Sequence, residues 1–390
     1  MTNKRRRLAA RCKSLGFTQE AFAERLDVDT TTVRRWETGV ASPQPWLRPK
    51  IARHMQVSHE QLDALLAEID EGAQAHDRIA FALRHPRSVD LLAIAELRGQ
   101  IHALDERYDR EPSTLLLAET GQCLGQIAFL RGNAASNRIR RELYAVEAES
   151  ATLMGQLVWD ASQRRDNTSA HRYFDQAVVA ARQVRDPVAE SFALLRKSFV
   201  ALYGEQDAAR GLDLCERTAS AAVGESDVLS GLAMLHAAEA HAMLGDKIAC
   251  EGALAQADTH FGRVDEGDAA ADLFSPTQPG RLAGSCYLFL GKPKRAMPVL
   301  EATAQQMGAR SKSQAIVLGN LGLAYIRQDE VDSATAMLHR AIDVIEQTWG
   351  GGGLNVVFSA CRELQPWRDL AVVQDVYDRA MALMTTRPTG

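Results

Sequence analysis

Beyond residue 113 a small side chain returns among apolar ones at Ala170, Gly211, Cys250, Ala296 and Ala334, in steps of 41, 39, 46 and 38 residues. The clearest unit places Leu318, Leu321, Gly322 and Tyr325 ahead of Ala334, Leu338 and Ala341. Spacings of three and four residues trace one face of a helix. A small residue where two helices cross, with large ones filling the adjoining gap, describes a helical pair. A pair that repeats stacks into a curved solenoid. The preceding unit has Gly284, Tyr287, Gly291, Ala296 and Leu300 in the same register. Looser units run through Met234, Ala238, Cys250 and Leu254, through Leu195, Leu202, Gly211 and Cys215, and through Met154, Leu157, Ala170 and Phe174. Residues 115–131 read as a degenerate extra unit. The four glycines at 350–353 read as a flexible hinge before a capping helical pair at residues 356–364 and 367–383. They lack the Lys-Ser/Thr that a phosphate cradle needs. Only 6% of the chain is aromatic, and Ala, Leu, Arg, Glu and Gln favour helix over sheet, so the fold is expected to be all-α.

The other informative stretch is residues 16–43, GFTQEAFAERLDVDTTTVRRWETGVASP. Thr18 is placed to cap a helix Gln19–Leu26 whose apolar positions are Ala21, Phe22 and Leu26. A turn at Asp27-Val28-Asp29 follows, and Asp29 or Thr30 caps a second helix that buries Val33 and Trp36 and ends at Gly39. That burial leaves Thr30, Thr31, Arg34 and Arg35 outward, near the helix N-terminus. Small hydroxyls and forked guanidinium groups on a helix anchored through its other side are what reading base edges requires. A helix at residues 6–15 with Leu8, Cys12 and Leu15 inward precedes the stretch. After it come a turn at residues 42–45, a helix from about Trp46 to Met55 and a last helix through Leu62, Leu65 and Leu66.

The run TQEAFAERLDVDTTTVRRWETG resembles the Cro/Xre helix-turn-helix family of phage-repressor-like regulators, over roughly the first 65 residues. The resemblance implies a five-helix DNA-binding domain. It implies that Gln19 braces a phosphate, that Thr30, Thr31 and Arg35 read bases, and that Thr32 and Arg34 lie near the backbone or base edges. Most members carry an Arg where this chain has Cys12, and that Arg pairs with the residue matching Glu37. Here Glu37 is left to borrow Arg11 or Lys13, or to go unpaired. Residues 113–345 are similar to tetratricopeptide repeats. A head of this type on such repeats is similar to regulators whose groove takes a short signalling peptide or a partner protein, and to actinobacterial regulators of secondary metabolism.

Charge divides the chain in the same place. Residues 1–66 hold 12 Lys or Arg against 7 Asp or Glu, which leaves 33 against 43 for the remainder. A basic head on an acidic body suits a chain that meets phosphate with the head alone, and the Lys4–Arg7 cluster abuts the motif. The acidic, unpatterned residues 68–77 read as a boundary. Pro86 marks a break between two helices in the following stretch. The expected organisation is residues 1–67 as head, 68–112 as connecting helices and 113–390 as repeats with capping helices.

Nothing in the chain calls for catalysis or a cofactor. Cys12, Cys123, Cys215, Cys250, Cys286 and Cys361 are scattered without a Cys-x-x-Cys pair and read as buried small hydrophobes. His236 and His241 stand five apart, about 140° around a helix, too far to share a metal. They read as core or groove residues, and Asp268 with Asp272 as a solvated face. No apolar run is long enough for a membrane span and no secretory leader precedes the motif, so a cytoplasmic protein is expected. The expected function is a sequence-specific DNA-binding transcriptional regulator, a homodimer on double-stranded DNA. Its repeats would dimerise and take a signalling peptide, small molecule or protein partner, with Asn320 a candidate groove contact. The alternative is a protein-binding repeat scaffold or antagonist with a vestigial head. No cofactor, metal or membrane partner is expected.

Overall fold

The computed structural model describes residues 6–38, 41–67, 71–308 and 311–385. Among the described residues the regular structure is helical, with no strand, and the chain clusters into two compact units that part between Glu96 and Leu97.

The first unit begins with α1 (Arg6–Ser14), α2 (Gln19–Leu26) and α3 (Thr30–Glu37). Both expected caps are present. The Thr18 hydroxyl accepts from the Ala21 N–H at 3.2 Å, and an Asp29 carboxylate oxygen accepts from the Thr31 N–H at 2.8 Å. Asp27 ends α2 in the left-handed region at φ 60°, which turns the chain towards α3. One sequence expectation shifts: Ala21 is half-buried and Ala23 lies inside instead, because Ala23 and Phe22 sit three and four residues before Leu26. The expected end of α3 at Gly39 lies outside the described residues. A 3-10 turn at Pro45–Leu47 leads into α4 (Arg48–Met55), with Pro49 in its first turn where no N–H is missed. The last helix of the motif domain, α5 (His59–Ala67), opens on a capping box: Ser58 Oγ accepts from the Gln61 N–H, and Gln61 Oε1 accepts from the Ser58 N–H. Leu8, Cys12, Phe22, Leu26, Val33, Trp36, Ile51, Met55 and Leu62 form one core.

α6 (Glu71–Arg84) and α7 (Leu91–Tyr108) follow, with a 3-10 turn at Pro86–Ser88 at the expected break. Residues 71–77, within the stretch read as a boundary, open α6. Glu, Ala and Gln carry helix propensity of their own, so lost apolar periodicity is not lost helix. Residues 68–70, the rest of that stretch, lie outside the described residues.

The second unit continues as antiparallel pairs: α8 (Ser113–Asn133), α9 (Asn137–Ala161), α10 (Asn167–Val184), α11 (Pro187–Phe199), α12 (Ala208–Ala222), α13 (Asp227–Met243) and α14 (Lys247–Phe261). Then come α15 (Gln278–Phe289), α16 (Pro293–Gln306), α17 (Lys312–Ile326), α18 (Val331–Thr348), α19 (Gly351–Glu363) and α20 (Ala371–Thr385). One device recurs in the turns. Arg185, Gln206 and Gly245 adopt positive φ, and the Asp after each caps the next helix by accepting from the N–H three residues on. Ala170, Cys250, Ala296 and Ala334 are each fully buried at the crossings the repeat pattern assigned. A β-carbon at Gly322 would sit 3.0 Å from Leu338 Cδ2, so the close crossing leaves room for one only if the leucine shifts. The longest step reflects the segment between α14 and α15, which holds only a 3-10 turn at Ala271–Leu273. α11 is prolonged by a π-helical turn at Val200–Gly204.

The glycine run is the main correction to the sequence reading of this unit. Gly351–Gly353 form the buried first turn of α19 and are packed, not a hinge. A β-carbon at Gly353 would lie 2.6 Å from Ala315 Cβ, and one at Gly350 2.8 Å from Lys312 Cγ. The Gly351 N–H donates to Asp160 Oδ1 at 2.8 Å, across 191 residues. Asp160 also pairs with Lys312 Nζ at 2.9 Å and accepts from Ser113 Oγ at 2.8 Å. Asp160 at the end of α9 thus binds the starts of α8, α17 and α19, and the solenoid closes on itself.

Candidate DNA-reading face and repeat cavity

The outward face of α3 is set by what its other face buries. Val33 and Trp36 are 1% and 5% exposed, while Thr31, Arg34 and Arg35 are exposed and Thr30 and Thr32 half-buried. The Thr31 hydroxyl donates to Asp29 Oδ1 at 2.7 Å, so its proton is committed and its lone pairs face outward. It can accept a hydrogen bond from a base amino group but is not free to donate. Those bonds hold the Asp29 carboxyl below its ordinary value. Neither Arg34 nor Arg35 forms an ion pair among the described residues, which leaves both forks available.

Position 12 has a definite solution. The Gln19 side-chain amide donates to the Glu37 carboxylate, linking the start of α2 to the end of α3. Arg11, one of the partners the sequence offered Glu37, instead donates to the carbonyls of Met55 at 3.1 Å and Gln56 at 3.2 Å. Cys12 is buried beside them, and burial, with the Glu37 charge adding, pushes its thiol up to about 12. The thiol is a packing group at neutral pH.

The second unit encloses a cavity of about 1070 Å³. The first helices of successive pairs face it: α9 through Gln156, α11 through Arg196, α13 through His236, α15 through Arg281, α17 through Asn320 and α19 through Asn355. Asn320, read from sequence as a groove residue, lines it at 6% exposure. Of the two histidines, His236 lines the cavity and His241 does not. Tyr203 OH contacts His236 Nδ1 at 2.7 Å and donates to Glu239, whose other oxygen accepts from Ser285. Burial holds His236 well below its ordinary value, with Arg281 and Arg196 adding to the effect, and burial raises Glu239. Among the described residues no group of His, Cys, Asp and Glu is arranged to hold a metal ion.

Residues 8–62 match the family model described as helix-turn-helix, and residues 315–350 the one described as tetratricopeptide repeat. The head is a helix-turn-helix domain of the Cro/Xre type. No curated protein matches the chain. The tetratricopeptide match falls on α17 and α18, the pair whose sequence pattern is clearest, and the looser pairs before them adopt the same antiparallel form. Sequence reasoning missed Gln156, Arg164, Arg196 and Arg281, which all line the cavity. A guanidinium inside an apolar stretch such as FALLRKSF was the available signal. Among the described residues no helix is long and apolar enough to cross a membrane.

Proposed function

We propose that the protein is a sequence-specific DNA-binding transcriptional regulator, a homodimer whose helix-turn-helix heads place α3 in the major groove and whose tetratricopeptide domain senses a ligand or partner. One observation carries the reading: α3 is pinned by Val33 and Trp36 and turns Thr31, Arg34 and Arg35 outward. Arg35 and Arg34 reach guanine edges or phosphate, and Thr30, Thr31 and Thr32 contact bases or backbone at the N-terminal end of the helix. Gln19 spends one amide N–H on Glu37 and keeps the other for a phosphate. One recognition helix per chain covers a half-site, so two heads meet major-groove faces about 34 Å apart.

The rival reading, a repeat scaffold with a vestigial head, drew its support from Cys12. The bond from Gln19 to Glu37 and the continuous core beneath it favour a working head. The test is to select bound sequences from random duplexes with the full chain, then titrate the selected site at several salt concentrations. A regulator loses affinity steeply as salt rises, because each phosphate contact releases counterions. A flat salt response, with no sequence enriched, would leave the scaffold reading standing and remove this one.

A further inference from the structure

The cavity of the repeat domain is lined by three guanidinium groups that form no ion pair among the described residues. Arg164 lies over the Trp159 ring at 4.6 Å, and Arg196 over Phe192 at 4.9 Å and Phe199 at 5.3 Å. Arg281 projects from α15 into the same space. Among the described residues no carboxylate lies within ion-pair distance of any of these three guanidinium groups. The buried Nε atoms of Arg164 and Arg196 have no hydrogen-bond partner. Three of the five carboxylates of the lining hold other partners. Asp160 holds Lys312 and Gly351, Glu363 holds Arg327, and Glu239 accepts from Tyr203 and Ser285. Burial raises Asp109 against the pull of Lys312, Arg281 and Arg196; burial likewise lowers Arg196, opposed by Tyr108, Asp105 and Asp109 and helped by Arg281.

Gln156 supplies an independent sign. Its side chain is 4% exposed and lines the cavity, yet neither its amide nitrogen nor its oxygen has a partner. A buried amide left without partners is costly, so such a group is expected to meet something in the cavity. The remaining wall is aromatic and aliphatic, with Trp159, Phe192, Phe199 and Phe289 prominent. The volume lies just above the usual span of ligand pockets, about 300–1,000 Å³.

We propose that this cavity binds a small organic anion with a flat apolar body, its acid group held by Arg164, Arg196 and Arg281 and hydrogen-bonded by Gln156. The forks match carboxylate and phosphate oxygens in bidentate geometry, and guanidinium groups already stacked on rings extend a surface for a planar ligand. Carboxylate and phosphate share this chemistry. The proposal deepens the sensing half of the regulator reading and rests on it only for its biological meaning, since binding to the cavity needs no DNA.

The experiment titrates the full chain, without DNA, with 2-naphthoate, 2-naphthyl phosphate and the uncharged 2-naphthamide, by calorimetry and by shift in Tm. The acids are expected to bind at least about tenfold more tightly than the amide, and the tighter acid identifies the head group. Arg196→Met and Arg281→Met are each expected to weaken the acids by about tenfold and to leave the unliganded Tm equal or higher, because each removes an unpaired enclosed charge. An outer-face control, Arg217→Ala, leaves binding unchanged. Equal binding of acid and amide, unaltered affinity in both Met variants, no acid binding at all, or preference for an uncharged hydrophobic peptide over every acid overturns the proposal. A chain that binds acids but no duplex sinks the regulator reading alone, and one that binds duplex but no acid sinks this inference alone.

Discussion

The two units build their surfaces of contact in opposite ways. In the helix-turn-helix head the groups proposed to read DNA lie on one short helix, α3, and point away from a core that Val33 and Trp36 anchor. In the repeat domain the groups point inward, and Gln156, Arg196 and Arg281 come from helices far apart in sequence. The head needs only local geometry: a cap, a turn and the periodicity of a helix. The cavity exists only if every intervening pair stacks correctly and the ends meet at Asp160. The first arrangement should therefore survive damage elsewhere in the chain, and the second should not.

Each prediction tests that contrast, the largest expected effect first. Asp160→Ala strands the buried Lys312 ammonium and removes the acceptor of Gly351 and Ser113, at a cost of about 3–5 kcal/mol. Urea unfolding should show the repeat transition shifted while operator binding by the head persists; simultaneous loss of both would deny the units their independence. Trp36→Ala empties the back of α3 and costs about 3–5 kcal/mol at most sites of this kind. Here DNA binding should vanish while the repeat transition stays where it was. Arg35→Ala should cost roughly 1–3 kcal/mol at one base position and relax preference there, whereas Gln19→Ala should weaken all sequences alike. If a titration across operator variants finds both affinity and base preference unmoved by Arg35→Ala, α3 is not the reader.

The smallest effect concerns pH. His236 is held below its ordinary value by burial and faces Tyr203, Glu239, Arg196 and Arg281. Its contribution to stability is therefore complete above about pH 6.5 and is lost as pH falls below it. Glu239, raised by burial, acts in the opposite sense and loses its contribution as pH rises through its elevated value. Melting the full chain between pH 5 and 8 should lower the repeat transition at the acid end, and His236→Phe should flatten that slope.

How far the sequence could be read follows from how local each feature is. Thr18 and Asp29 were legible as caps because a cap joins residues two or three apart. The small residues at the crossings were legible because the spacing repeats. The partner of Glu37 was not, since Gln19 is 18 positions away and reaches it only when α2 and α3 pack. Four glycines look like a loop to any local rule, and their packed role depends on Ala315 and Lys312 lying against them. The inward arginines escaped notice for the same reason. Each lies in a different segment of the chain, and only closure of the stack brings them to one cavity.

Closure also changes what the solenoid can do mechanically. An open coil of helical pairs flexes like a spring and widens by small twists at each joint. Here the coil is hooped, and widening it strains a salt-bridged clasp in which one carboxylate is shared by a lysine, a serine and a glycine amide, beside the bond from the Lys312 N–H to the Asp109 carbonyl at 3.0 Å. An occupant that fits would leave the clasp shut, and an oversized one would load it. Chamber width and the strain on that junction are therefore linked through Asp160 and Lys312, which are themselves part of the wall.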